Sequence, residues 1–260
     1  MKNIIYLTLF TLILHFSCSG ENLSLVQEED SSVDETEETD TTEENNGDDE
    51  ESNESSNTQE TYKILSLGDS YTIGQSVCET CRFPVQLKDS LINNFDSETQ
   101  FELKIIATTG WTTTNLIGAI ERENIEANYD LVTLLIGVNN QYQNKPFSIY
   151  ESEFPQLVNT AIAKAKGDKT SVIVVSIPDY AFTPFGNGNQ DISSEIDQYN
   201  SFAENYCTAN NITFVNITDI TRMGLDHPDL VASDGLHPSE LAYTKFVERL
   251  LPITINKLTD

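Results

Sequence analysis

Five short apolar runs, each set off by stretches of helical spacing, constrain this chain more than any other feature. The runs occupy residues 63–67, 101–107, 131–137, 171–177 and 212–217. Val132-Thr133-Leu134-Leu135-Ile136 and Ile173-Val174-Val175 read almost without a polar break, as parallel strands covered on both faces require. Helical patterns fall at about 83–93, 113–120, 147–166, 193–210 and 239–251. Pro238 suits the start of the last helix and Pro252 its stop. Strands interleaved with helices predict an α/β fold, with a five-stranded parallel sheet, right-handed crossovers and three layers. In such a sheet the working residues lie in loops beyond the carboxyl ends of the strands.

Charge divides the chain. The sequence has 260 residues, with 42 acidic against 14 basic, a net charge of −28. Residues 21–60 hold 17 of the acids and no Lys or Arg, and Val33 is their only apolar residue after Val26. Such a segment cannot bury enough apolar surface to offset the entropy of ordering, and its charges repel, so it reads as a solvated stalk. About 200 residues of ordinary composition remain, enough for one domain with a sizeable core. No basic stripe exists to neutralise phosphates, which argues against nucleic acid as a partner, and no polybasic face exists for an anionic membrane.

The N-terminus carries Lys2 and then an apolar run from Ile4 to Leu14, the length of a secretory h-region and short for a bilayer span. Ser17-Cys18-Ser19-Gly20 follows. The pattern resembles a bacterial lipoprotein signal, which implies lipidation of Cys18, although His15 stands where Leu is usual. A plain secretory signal with an incidental cysteine is the other reading. The expected organisation is a signal peptide at 1–17, a lipidated cysteine and acidic linker at 18–60, and a folded domain at 61–260. The expected location is the cell envelope, with membrane contact only through the anchor at Cys18.

Four motifs fall beyond strand ends. Gly68-Asp69-Ser70 follows the first run, and a Ser beside a tight turn is exposed, as an acyl-transfer nucleophile must be. Gly110 follows the second run and Gly137-Val138-Asn139-Asn140 the third, offering a backbone N–H and a side-chain amide to a developing oxyanion. Asp234-Gly235-Leu236-His237 precedes the last helix, with the acid three residues from the imidazole it would orient. His15 lies in the leader, so His227 and His237 are the candidate bases, and the neighbouring acid of His227 points elsewhere in most backbones. Asp179 is a rival acid, with less favourable spacing.

In this order the four motifs resemble the SGNH hydrolases, also called the GDSL esterase/lipase family, over about residues 62–255. The resemblance implies a flavodoxin-like α/β/α fold and hydrolysis of esters or thioesters without a metal or organic cofactor. By motif, it implies Ser70 as nucleophile, His237 as base and acid, and Asp234 as its orienting carboxylate. Ser70 N–H, Gly110 N–H and the Asn139 amide would form the oxyanion hole, and Asp69 would hold the loop. Asn140 departs from the usual Gly-x-Asn-Asp, losing a carboxylate that does not meet the substrate oxygen. The expected function is a serine esterase acting on a small-molecule or polysaccharide ester. A silent carbohydrate-binding module and an O-acetyltransferase are the rivals.

Cys78-Glu79-Thr80-Cys81 could be a disulfide, a redox pair or half a zinc site. No second Cys-x-x-Cys exists, and export favours a Cys78–Cys81 disulfide. Cys207 reads as a buried apolar residue. Tyr71, Trp111, Tyr142 and Phe147 are either pocket aromatics or lids over the core, and the long loop after the fourth run, 177–189, is expected to shape the leaving-group side.

Overall fold

A computed structural model describes residues 60–259. The leader, Cys18 and the acidic linker lie outside the described residues. The strands are β1 (Thr61–Gly68), β2 (Gln100–Ala107), β3 (Leu131–Leu135), β4 (Val172–Val175) and β5 (Thr213–Val215). All are parallel, in the order β2-β1-β3-β4-β5. This is the flavodoxin-like order, which places a ligand crevice beside β1 and β3, where the winding reverses. Gly68 pairs with both Ala107 and Leu135, so three strands finish level and release their loops along one edge.

The helices are α1 (Ser70–Ile73), α2 (Phe83–Ile92), α3 (Thr113–Glu123), α4 (Val138–Tyr142), α5 (Phe147–Lys164), α6 (Gln190–Asn210), α7 (Thr218–Thr221) and α8 (Glu240–Thr259). One face of the sheet carries α2 packed on α8, and the other carries α3, α5 and α6. Every residue of β3 and β4 is buried, whereas the edge strand β2 is mostly part-exposed. Each fully buried Leu, Val or Ile contributes about 1.5–3 kcal/mol relative to exposure. That burial is why the central strands read as unbroken apolar runs.

One expectation is corrected here and one alternative is decided. Pro252 does not stop the last helix: α8 runs through it to Thr259. The proline leaves the Glu248 carbonyl without its helical donor, but Glu248 is exposed and water can serve that oxygen. Burial of Thr254 and Leu258 further along holds the helix in place. Phe147 does not line the cavity that holds Ser70 and His237. Its ring meets Tyr199 at 4.9 Å and Phe202 at 5.8 Å, joining the cluster that seats α5 on α6.

Candidate active site

The turn that presents Ser70 depends on Gly68. A Cβ there would lie 2.5 Å from the Leu135 carbonyl oxygen and would also collide with Thr72 Oγ1. Asp69 caps α1, its Oδ1 accepting from Tyr71 N–H at 3.0 Å. Ser70 is the first helical residue, so its N–H has no acceptor within the helix, and it finds none elsewhere among the described residues. Gly110 turns the chain after β2 with φ +83°, a left-handed conformation costly for any residue with a Cβ. Its N–H is likewise unengaged, and its carbonyl accepts from Gln143 Nε2 at 2.8 Å, which ties the turn to the end of α4.

Asn139 lies on α4 and donates an amide proton to Asp69 Oδ2 at 3.3 Å. Asn140, the departure from the family pattern, is fully buried and faces away from this group. It accepts from Thr113 N–H at 2.9 Å and donates to Thr113 Oγ1 at 2.7 Å, fastening α4 to the start of α3. It holds these two loops together, since an amide can both accept and donate there.

The fourth loop is pinned by a short antiparallel bridge between Val231 and Pro238. Asp234 Oδ1 accepts from Leu236 N–H at 2.9 Å and His237 N–H at 3.0 Å, and Oδ2 lies 2.6 Å from His237 Nδ1. With Nδ1 engaged by the carboxylate, Nε2 is the nitrogen left to exchange protons.

Ser70, Gly110, Asn139 and His237 share the wall of one cavity of about 160 Å3. Its apolar lining includes Val138, Leu236 and Tyr180. The Ser70 hydroxyl and His237 imidazole are not hydrogen-bonded to each other; such contacts commonly close only when substrate is bound. Tyr71 and Tyr142 are on the wall and Trp111 is not. Trp111 packs instead against the core. Tyr180, from the long loop after β4, reaches the cavity, and Phe185 of the same loop stands 6.1 Å from Tyr142 at its edge. Sequence singled out that loop by its length but not these two rings, because nothing local distinguishes them from other loop aromatics.

Electrostatics separates the two acids of the site. Burial works against the charge of Asp234, but hydrogen bonds from Ser76 Oγ, His237 N–H, the His237 ring and Leu236 N–H outweigh it and hold the carboxyl well below the usual range. Burial pushes Asp69 up to about 7, only partly opposed by Tyr71 N–H and the Asn139 amide. Asp179 is committed elsewhere, with Arg222 Nε at 2.9 Å and Ser193 Oγ at 2.6 Å. His227 lines a separate surface hollow with Met223 and Leu241. Cys78 and Cys81 are joined by a disulfide, and Cys207 is free and buried, its thiol pushed up to about 12 by desolvation.

Residues 66–245 match the GDSL-like Lipase/Acylhydrolase family. The chain belongs to that family. It is a carboxylic ester hydrolase of the GDSL/SGNH type. Solved structures share its fold across most of their length. One is a member of the lipolytic protein G-D-S-L family from Veillonella parvula, 18% identical, covering 75% of this chain and 98% of its own, with a TM-score of 0.58. Another is the psychrotrophic esterase EstA from Pseudoalteromonas sp., 17% identical, covering 76% and 99%, at 0.55. A third is an acetylxylan esterase from Geobacillus stearothermophilus, 19% identical, covering 78% and 96%, at 0.54. Among curated proteins, no sequence is significantly similar to this one.

Proposed function

We propose that this GDSL-like acylhydrolase is a serine esterase that removes short acyl groups, acetyl above all, from a carbohydrate. The observation that carries the reading is His237, paired with Asp234 at 2.6 Å, on the wall of the cavity that also holds Ser70, Gly110 and Asn139. Ser70 Oγ attacks the ester carbonyl while its proton passes to His237 Nε2. The charge on the carbonyl oxygen meets Ser70 N–H, Gly110 N–H and the Asn139 amide. As the intermediate collapses, Nε2 returns the proton to the leaving alkoxide and the carbon–oxygen bond breaks, leaving acyl-Ser70. Water then attacks with its proton moving to Nε2, and collapse releases the acid and restores the serine. Asp234 keeps the ring in the tautomer with Nδ1–H and stabilises the imidazolium throughout.

Two features support a small acyl group on a sugar. The cavity, about 160 Å3, is small for a ligand pocket, which favours a short acyl group over a long chain. Tyr142 and Phe185 stand half exposed, 50% and 53%, at its edge, where ring faces can stack on a sugar. The test is an acyl-chain series of p-nitrophenyl esters beside acetylated xylan. Acetate and butyrate should turn over at least about tenfold faster than octanoate, and acetate should be released from xylan. Turnover rising with chain length to palmitate would replace the reading with a lipase. Ser70→Ala should remove nearly all turnover and leave folding intact.

We also infer that the enzyme is held in the cell envelope by a lipid on Cys18, a reading supported by the leader and the acidic stalk. Incorporation of labelled fatty acid should be lost in Cys18→Ala. A protein unlabelled before that substitution would contradict it.

A further inference from the structure

Gln75 and Ser76, where the chain leaves α1, each reach a different half of the site. The Ser76 hydroxyl donates to Asp234 Oδ2 at 2.6 Å, the same oxygen that faces His237 Nδ1. Gln75 Oε1 accepts from the Thr109 hydroxyl at 2.6 Å, one residue before Gly110. Neither Gln75 nor Ser76 lines the cavity.

Ser76 adopts φ +67°, a left-handed conformation that penalises a side chain. The other non-glycine residues in this region, among those described, are Asn124, Asn144, Asn187, Asn211 and Lys166. Asn tolerates the conformation through local hydrogen bonding, and Gly adopts it freely. Ser76 is exposed, so packing does not demand its side chain. What a glycine there would lose is the hydroxyl on Asp234. A strained residue kept where an unstrained one would fit points to a use for its side chain.

The loop is also anchored beyond Ser76. Cys78 and Cys81 are joined by the disulfide, and Gln86 of α2 donates to the Cys81 carbonyl at 2.5 Å while accepting from Thr244 of α8 at 2.8 Å. Ser76 completes the surroundings of a carboxylate whose side chain is 29% exposed. Oδ1 takes two backbone donors, and Oδ2 takes the imidazole and the hydroxyl. Without the hydroxyl, water would compete for Oδ2 and the carboxylate would be freer to rotate away from His237.

We propose that residues 75–81 form a positioning clamp. Ser76 fixes the orientation of Asp234 for His237, Gln75 steadies the Thr109–Gly110 turn, and the disulfide stiffens the loop that carries both. The clamp rests on the roles proposed above for Ser70, His237 and Asp234. Because its residues act through others, removing a contact should lower kcat and leave KM alone.

The experiment is steady-state kinetics and thermal unfolding of the full protein with Ser76→Gly, alone and in the Asp234→Asn background. One hydrogen bond to a charged group is at stake, so Ser76→Gly should lower kcat about tenfold, with KM within about twofold. The Tm should be equal or higher, because glycine relieves the backbone. In the Asp234→Asn background the same change should alter kcat by less than about twofold. Cys78→Ser/Cys81→Ser should remain folded with kcat reduced by a smaller factor than in Ser76→Gly, and wild-type kcat there would remove the disulfide from the clamp. Wild-type kcat in Ser76→Gly, or an undiminished tenfold loss beside Asp234→Asn, would overturn the clamp. Turnover by Ser70→Ala at the wild-type rate would instead overturn the nucleophile assignment beneath it.

Discussion

Asp234 and Asp179 both lie in loops beyond the carboxyl ends of the strands, and the difference between them lies in their partners. Asp179 is fully buried, takes the Arg222 guanidinium at 2.9 Å, and accepts from Ser193 Oγ at 2.6 Å and Ala181 N–H at 3.0 Å. Arginine keeps its charge at every relevant pH, so this pair can only hold a loop in place. Asp234 takes an imidazole, whose charge can come and go and whose ring lines the cavity that holds Ser70. The same residue type on the same edge of the sheet is a fixture in one place and, on the function proposed above, the orienting partner of a proton-transferring imidazole in the other. What separates them is whether the partner can change its protonation state.

Breaking each pair should therefore have opposite signatures. His237→Ala should lower kcat by about 10⁴-fold with a nearly unchanged Tm. A loss of folding with retained specific activity would reverse the comparison. Asn139→Ala removes one of the proposed oxyanion donors and should cost about 10²–10³ in kcat, with a small change in KM. An effect confined to KM would mean that the amide binds ground state and transition state alike. Arg222→Ala leaves the Asp179 carboxylate buried without its cation, and denaturant unfolding should show a loss of about 3 kcal/mol. Its kcat, measured on the folded fraction, should stay within about threefold of wild type. A collapse of kcat in that fraction would place Asp179 in the chemistry.

The smallest expected effect is the pH dependence of stability. Asp234 titrates lower in the folded chain than its unfolded value of about 4. Its contribution is therefore present above that value and is lost as pH falls through the folded one. Asp69 runs the other way: the unfolded carboxyl ionises near about 4, the folded one near about 7, so stability declines as pH rises between them. Unfolding free energies measured across this range should lose their acid decline, in part, in Asp234→Asn. In Asp69→Asn the decline between about 4 and 7 should shrink. Profiles parallel to wild type would contradict both assignments.

Much of the fold was legible because β3 and β4 are buried on both faces and must be written in apolar residues. The four motifs were legible because each occupies one turn whose geometry restricts the choice, as at Gly68 and Gly110. The Pro252 stop failed because burial beyond the proline outweighs one lost hydrogen bond, a tertiary effect that local spacing does not carry. Whether Phe147 lined the pocket or covered the core was left open for a related reason: its partners Tyr199 and Phe202 are remote in the chain. Ser76 left no signal at all, since its partner Asp234 is 158 residues away and an exposed serine in a loop looks ordinary.

Intact-mass analysis of the protein treated with a fluorophosphonate asks whether Ser70 is the nucleophile that His237 activates. One adduct per chain is expected, mapped to Ser70, absent in Ser70→Ala and formed about 10³-fold more slowly in His237→Ala. An adduct on another residue, or labelling of Ser70→Ala at the wild-type rate, would contradict that assignment.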